Sequence, residues 1–199
     1  MRGRRIHSAV ALCVLVSSPF AVAQTALPPG AVSIVNQDRF GRMVALCAET
    51  GEPSIQKGAK TVRSTAVWAG AASNLRRVQA GPGACDPAWS PDGRRLAVTA
   101  AEGLWVFPSN SAEGSLRVES RLPLGSIEYN YRAFSSPRWS PDGTLLGIVV
   151  SNGGTSWVEV FDANSGRLFY TSPPENYTFS WTAARDLKIG AVEIRLPRR

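Results

Sequence analysis

Short apolar runs separated by Gly, Pro, Asn and Ser dominate the hydrophobic pattern after residue 30. Between residues 95 and 100, Leu96, Val98 and Ala100 alternate with residues that would face the other way. We find no sustained helical period along the chain. A pattern of this kind predicts an all-β fold built from many short strands.

The most regular feature is a sequence that occurs twice, with tryptophans at positions 89 and 139, a spacing of 139 − 89 = 50 residues. Pro-Ala-Trp-Ser-Pro-Asp-Gly-Arg-Arg-Leu at 87–96 returns as Pro-Arg-Trp-Ser-Pro-Asp-Gly-Thr-Leu-Leu at 137–146. A fixed period of this size indicates stacked units that cannot bury their apolar faces alone. The predicted strands are 87–90, 95–100, 104–107 and 117–122 in the first copy, and 137–140, 145–150, 157–161 and 167–170 in the second, with a tight hairpin at Asn152-Gly153.

Two weaker copies flank this pair. Upstream, residues 35–46 contain Asp38, Gly41 and a following apolar run, which predicts a diverged unit with a longer turn. Downstream, Trp181 begins like the repeat, and residues 187–194 are the predicted second strand of a unit without the Pro-Asp-Gly turn. The stretch 51–83 is the hardest to interpret, and its predicted strands are 67–68 and 75–78.

Each residue type of the repeated motif has a structural explanation. Proline presets φ at the first corner of a turn, the Asp carboxylate accepts nearby backbone N–H groups, glycine takes the left-handed position, and the Ser hydroxyl caps the turn. Tryptophan supplies a large apolar anchor between sheets. Because Asp92 and Asp142 would lie on neighbouring sheets, a structural role is favoured over paired acid/base chemistry or a calcium site. The structural repeat residues are Trp89, Ser90, Pro91, Asp92 and Gly93, with Trp139, Ser140, Pro141, Asp142 and Gly143.

The first residues have the order of a secretory signal peptide. Arg2, Arg4 and Arg5 are followed by an apolar stretch at 8–16 and by Ala-Val-Ala ending at Ala23. This order predicts cleavage after Ala23, a leader at 24–31 and one repeat domain at 32–199, in the periplasm or secreted. No other segment has an apolar run long enough to span a membrane.

Charge and residue usage exclude several kinds of chemistry. Removing three signal arginines from 22 basic residues leaves 19 against 15 acidic ones, a mild balance that does not indicate nucleic-acid binding. The one histidine, His7, lies in the predicted signal, which excludes Ser-His-Asp and Cys-His catalysis and imidazole metal sites in the mature chain. We expect no enzyme activity, metal or cofactor. Cys47 and Cys85 would form a disulfide or remain two buried thiols; both alternatives stay open.

Trp-Ser-Pro-Asp-Gly followed by an alternating strand resembles the β-propeller repeat of the TolB-like periplasmic proteins. It is also similar to the propellers of dipeptidyl peptidase IV-like and prolyl oligopeptidase-like enzymes, but the chain has no Gly-x-Ser-x-Gly elbow. The resemblance implies four-stranded antiparallel blades and envelope-protein partners of the Tol-Pal kind. TolB-like proteins carry an α/β domain that this sequence does not suggest, and their propellers close with about six blades. At one blade per ~40–50 residues this chain supplies about four, either as a small ring or as an incomplete, open propeller.

Partner binding is expected on the loops opposite the repeated turn, at 123–136 and 172–178. Tyrosine and arginine are frequent binding anchors, which makes Tyr129, Tyr131, Arg132 and Tyr177 the candidate partner-binding residues, with packing of their own loops as the alternative. We therefore expect an exported, non-enzymatic interaction module of the bacterial cell envelope. The alternatives are a degenerate or truncated relative of a propeller enzyme that binds a small molecule or glycan, and a subunit that completes a larger propeller. An open propeller would also favour a homo-oligomer, because its edge would need cover.

Overall fold

A computed structural model describes residues 31–50, 55–57, 60–62, 65–81, 83–100, 103–119, 133–152, 154–174, 178–183 and 185–196. Within these ranges the backbone forms strands, turns and bends, and no helix occurs. The described part of the chain therefore contains no helix that is long and apolar enough to cross a membrane. The prediction of an all-β fold is confirmed.

The strands form antiparallel sheets in chain order, as successive meanders. The first six strands are β1 (Ala31–Gln37), β2 (Met43–Glu49), β3 (Ile55–Lys57), β4 (Lys60–Val62), β5 (Thr65–Ala71) and β6 (Asn74–Arg77). The first sheet has the order β1-β2-β5-β6, and β3 and β4 pair as a separate hairpin inserted between β2 and β5. This hairpin lies in the stretch 51–83, where the sequence predicted no strands at its positions.

The second and third sheets have four strands each, and the fourth sheet has three among the described residues. The second contains β7 (Cys85–Trp89), β8 (Arg95–Ala100), β9 (Gly103–Pro108) and β10 (Leu116–Glu119). The third contains β11 (Ala133–Trp139), β12 (Leu145–Asn152), β13 (Thr155–Asp162) and β14 (Leu168–Thr171). The fourth contains β15 (Ser180–Trp181), β16 (Leu187–Ile189) and β17 (Val192–Ile194).

Apolar side chains on facing sheets form three core clusters, each shared by two sheets. Val67 of the first sheet packs with Leu96 of the second, Leu104 of the second with Ile148 of the third, and Val160 of the third with Leu187 of the fourth. Among the described residues no core cluster joins the first sheet to the fourth. Face-to-face packing of small antiparallel sheets in sequence order is the architecture of β-propeller blades.

The repeated turn has the same hydrogen bonds in both copies. Ser90 Oγ donates to Asp92 Oδ1 over 2.6 Å, and that oxygen also accepts the Arg94 N–H at 3.0 Å. Ser90 Oγ in turn accepts the Arg95 N–H at 2.9 Å. Gly93 has a φ of 70°, in the region that favours glycine. The second copy makes the same bonds through Ser140, Asp142, Thr144 and Leu145, with Gly143 at a φ of 71°.

The first turn, between β1 and β2, has the same spacing as the repeated motif, so the prediction of a longer turn is wrong. Gly41, at a φ of 66°, follows Asp38 by three positions, as the motif glycine follows the motif serine. Asp38 Oδ1 accepts the backbone N–H groups of both Arg42 (2.7 Å) and Met43 (2.9 Å). One carboxylate therefore makes the two backbone contacts that the other turns divide between a serine and an aspartate.

The fourth unit differs from its prediction. Residues 187–194 are not one strand, because β16 ends at Ile189 and Gly190, with a φ of 57°, turns the chain into β17. In the preceding turn Arg185 has a φ of 73°, the conformation that glycine has in the other three turns. Its N–H donates to the carbonyl of Thr182 at 3.1 Å, the bond that closes each of these turns.

Trp139 and Trp181 connect neighbouring sheets through their indole N–H groups, whereas the buried indole N–H of Trp89 has no hydrogen-bond partner among the described residues. Trp139 of the third sheet donates to the carbonyl of Ala88 in the second sheet at 2.8 Å. Trp181 of the fourth sheet donates to the carbonyl of Arg138 in the third sheet at 3.0 Å. Ala88 and Arg138 occupy the same position of the motif, directly before its tryptophan. The ring thus fills the core and also fixes how far one sheet lies from the next.

Candidate binding face

The connections between strands divide the protein into two unlike faces. The turns after the first strand of each sheet, at 38–42, 90–94, 140–144 and 182–186, lie at one end of the strands, which we call the turn face. The connections from each sheet to the next, together with those between second and third strands, lie at the opposite end, which we call the loop face. Antiparallel pairing requires this alternation, because each strand reverses the chain direction.

Side chains and backbone groups of neighbouring turns are bonded to each other across the turn face. Arg95 Nη1 donates to Asn164 Oδ1 at 2.9 Å, and Arg95 Nη2 donates to the carbonyl of Gly143. Arg185 Nε lies 3.2 Å from Asp142 Oδ2. The second turn is thereby joined to the third and the third to the fourth. We assign the repeated motif a structural role at these positions.

The aspartates of the repeated turns are held in the charged form. Partial burial raises the pKa of Asp142, but the hydrogen bonds from Ser140 and Thr144 and the nearby Arg185 charge lower it by more, so the pKa lies below its ordinary value. Asp92 has a lowered pKa for the same reasons: its burial is outweighed by hydrogen bonds and by nearby arginines. A carboxylate stabilised as the anion is poorly suited to act as a general acid or base near neutral pH.

The longest intervals between successive described strands of the four sheets open at the loop face. They span 50–64 between β2 and β5, 120–132 between β10 and β11, and 172–179 between β14 and β15. The β3–β4 hairpin belongs to the first of these, so it lies on the face that the sequence predicted for binding. Long connections held by rigid sheets are where binding residues concentrate. The candidate residues Tyr129, Tyr131, Arg132 and Tyr177 belong to these connections and lie outside the described residues.

Two residues with unusual backbone conformations lie in the first strands of the second and third sheets, Asp86 next to the loop-face end of β7 and Ser136 at the centre of β11. Asp86 has a φ of 59° and Ser136 a φ of 52°, although neither is glycine. They are 50 positions apart, and each lies at an irregularity where the pairing of its strand with the next one shifts. The Ser136 N–H donates to Asp86 Oδ2, which connects the second and third sheets. Non-glycine residues in this conformation cost about 1–2 kcal/mol each, and such positions cluster at functional sites.

A disulfide joins the first two sheets close to the same end. Cys47 of β2 and Cys85 of β7 are bonded, with their Cα atoms 5.3 Å apart. Cys85 directly precedes Asp86 and begins β7, where the chain enters the second sheet from the loop face. The bond therefore fixes the first sheet against the strand that carries the Asp86 contact. Of the two states the sequence left open for these cysteines, the structure has the bonded one.

A cleft of about 270 Å³ opens beside the connection that leads into the fourth sheet. Ser180 and Lys188, which are directly paired on β15 and β16, line it together with Thr178, Phe179 and Gly190. Gly190 belongs to a second-to-third strand turn, so the cleft lies at the loop face. Lys188 gives the cleft a positive charge that suits an acidic group of a ligand.

Sequence reasoning did not single out Asp86, Ser136, Lys188 or the inserted hairpin. For the first two a signal existed, since both precede the proline of the repeat and share its spacing. The hairpin strands have only three residues each, too few to establish an alternation. In the described part of the chain, no cluster of three or more His, Cys, Asp or Glu side chains is arranged to hold a metal ion.

Sheets, turns and core together define a protein of the β-propeller class, and comparison with solved structures agrees. The chain is similar to hydrazine synthase of Kuenenia stuttgartiensis (TM-score 0.54, 14% identity, 77% of this chain and 42% of that one). It is also similar to TolB from Acinetobacter baumannii (TM-score 0.53, 15% identity, 79% and 37%) and to a putative TolB from Agrobacterium tumefaciens (TM-score 0.51, 14% identity, 82% and 61%).

These likenesses concern the fold. At 14–15% identity they show a shared propeller architecture, and the chain spans between 37% and 61% of the length of these three structures. No protein-family model matches the chain, and no curated protein sequence matches it.

Proposed function

We propose that this chain is an exported, non-enzymatic module that binds a protein partner of the bacterial cell envelope through its loop face. The observation that carries the proposal is the contrast between the two faces: neighbouring units are bonded together at the turn face, whereas the long connections, the inserted hairpin and the cleft all lie at the loop face. The order of basic, apolar and small residues before Gln24 supports export. Structural likeness to TolB makes envelope proteins of the Tol-Pal kind the first partners to test.

The two ends of the sheet series favour a self-contained module over a subunit of a larger ring. On the fourth sheet, the side facing away from the third sheet carries Ser180, Lys188 and Glu193, which are all exposed and polar. On the first sheet, Leu46 and Val44 point away from the second sheet but are only 0% and 4% exposed. Among the side chains that the structure describes, neither end presents a broad exposed apolar surface, and a ring-completing subunit would need one.

The experiment is capture of partners from an envelope extract, comparing the wild-type protein with the triple variant Tyr129→Ala/Tyr131→Ala/Arg132→Ala. Loss of the captured protein is expected, because Tyr and Arg dominate the energy of typical interfaces. Lys188→Glu tests the cleft separately, and it should weaken capture of an acidic partner. The matched control is Arg167→Ala/Leu168→Ala, two exposed residues at the start of β14, the outer strand of the third sheet.

Capture that is unaffected by the triple variant and by Lys188→Glu, in variants with the wild-type unfolding midpoint, would place binding away from the loop face. Turnover of a peptide or glycan library by the purified protein would favour the propeller-enzyme alternative instead. A mass larger than that of a monomer in light scattering would favour the ring-subunit alternative.

A further inference from the structure

The first turn of the protein has a surface that the equivalent turns lack. Phe40 lies at its tip with half of its side chain (50%) exposed. The guanidinium carbons of Arg39 and Arg42 both lie 4.5 Å from the centre of its ring. Both arginines are exposed, and within the described residues neither forms an ion pair. We call these three residues the arginine–phenylalanine tip.

The fold does not need Phe40 at this position. In the second and third turns the equivalent residue is the aspartate that accepts a backbone N–H group. In the first turn Asp38, two positions before Phe40, accepts the equivalent backbone N–H group. The residue at position 40 therefore does not have to make this contact. An exposed phenylalanine costs free energy in water and contributes no core contact here. A binding function accounts for a large apolar ring at a freed position between two arginines that form no ion pair within the described part of the chain.

We propose that the arginine–phenylalanine tip is a second interaction site, which binds an acidic segment of a partner protein that also contributes one apolar or aromatic side chain. Arginine recognises carboxylates through two parallel hydrogen bonds, and an exposed aromatic ring supplies the apolar contact. The tip lies on the turn face, opposite the loop face. The protein would therefore be able to hold two partners at once.

The size of the tip decides between a protein and other anionic partners. Recognition of an anionic lipid surface takes clusters of about 4–8 basic residues, and duplex nucleic acid takes about 6–10 phosphate contacts. Two arginines and one ring fall short of either requirement. They are sufficient for a compact hot spot in a protein interface, where a few residues carry most of the energy.

The test uses three fluorescein-labelled peptides and the purified protein. The first peptide has one tryptophan between two pairs of glutamates, the second replaces the tryptophan with glycine, and the third replaces the glutamates with lysines. Fluorescence anisotropy should show binding of the first peptide that weakens with added salt, weaker binding of the second and none of the third. Phe40→Ala should weaken binding of the first peptide about tenfold, and Arg39→Glu/Arg42→Glu should abolish it.

Arg167→Glu is the matched control, because it reverses the charge of another exposed arginine near an aromatic ring, with Phe169 at 5.9 Å. It should leave peptide binding unchanged, and all variants should keep the wild-type unfolding midpoint. Equal binding of the first peptide by the wild type and both tip variants would overturn the proposal, as would the absence of any binding. The protein should not bind vesicles of phosphatidylglycerol and phosphatidylethanolamine. Vesicle binding that is lost in Arg39→Glu/Arg42→Glu would assign the tip to a lipid surface and overturn the proposal of a protein partner.

Discussion

Reduction of the Cys47–Cys85 disulfide should destabilise the protein by a predictable amount. The two cysteines are 38 positions apart, and closing a loop of that length removes enough chain entropy from the unfolded state to stabilise the fold by about 4 kcal/mol. For a domain of this size each kcal/mol shifts the unfolding midpoint by about 2–4 °C. The expected decrease on reduction is therefore roughly 8–16 °C. Reduction is the main perturbation because it leaves the core volume nearly unchanged, and Cys47 is a core residue that is only 7% exposed.

The assay is differential scanning calorimetry with and without a phosphine reductant, with thiol titration to verify that both sulfurs are reduced. Cys47→Ala/Cys85→Ala is the control, because its midpoint should not respond to the reductant. A decrease of less than about 2 °C in the wild type would refute the loop-entropy reasoning. The same decrease in the double variant would show that the reductant acts elsewhere.

Three further predictions concern the turns and the inter-sheet bonds. Gly93→Ala should cost more stability than Gly41→Ala in chemical denaturation, although both glycines have a positive φ. A Cβ atom at Gly93 would lie 2.9 Å from Asp38 Oδ2, whereas a Cβ atom at Gly41 would meet nothing within 4 Å. We expect about 1–2 kcal/mol at Gly41 and more at Gly93, and equal losses would contradict the close packing of the first two turns. Asp142→Ala should cost about 1 kcal/mol of stability at neutral pH. The difference from wild type should shrink as the pH falls below about 4, because the folded state lowers the pKa of this aspartate and favours its charged form. A stability difference that does not depend on pH would exclude the carboxylate as its source. Trp139→Phe keeps most of the apolar contact but removes the indole N–H that donates to the carbonyl of Ala88. It should cost about 1–3 kcal/mol of stability and leave the far-ultraviolet circular dichroism unchanged. No loss of stability would show that the inter-sheet hydrogen bond is unimportant.

The two clear repeats were predictable because their turn chemistry is local. Proline, aspartate and glycine at fixed positions specify a turn whatever surrounds it, and the adjoining strands show clear apolar runs. The first unit was predicted in the right place, but with a longer turn than the repeated one. In the structure Asp38 takes the place of the motif serine, as its hydrogen bonds reveal.

Features that depend on contacts between sheets were not predictable from the sequence. The choice between a disulfide and two thiols depended on the distance between β2 and β7, which no local pattern encodes. Arg185 has the conformation of the missing glycine, and its ion pair with Asp142 comes from a turn 43 positions earlier in the chain. The cleft at Lys188 likewise depends on how the chain enters the fourth sheet. The roles of Tyr129, Tyr131, Arg132 and Tyr177 stay predictions, because these residues lie outside the part of the chain that the structure describes.

Site-specific photo-cross-linking tests the central claim most directly. A photoreactive amino acid would replace Tyr129 or Tyr177 in the loop-face connections, and Leu168 as a control. Leu168 is 48% exposed and begins β14, the outer strand of the third sheet. After export into living cells and irradiation, we predict that the same envelope protein becomes attached at positions 129 and 177 and not at 168. Attachment at 168 with none at 129 or 177 would contradict the assignment of partner binding to the loop face.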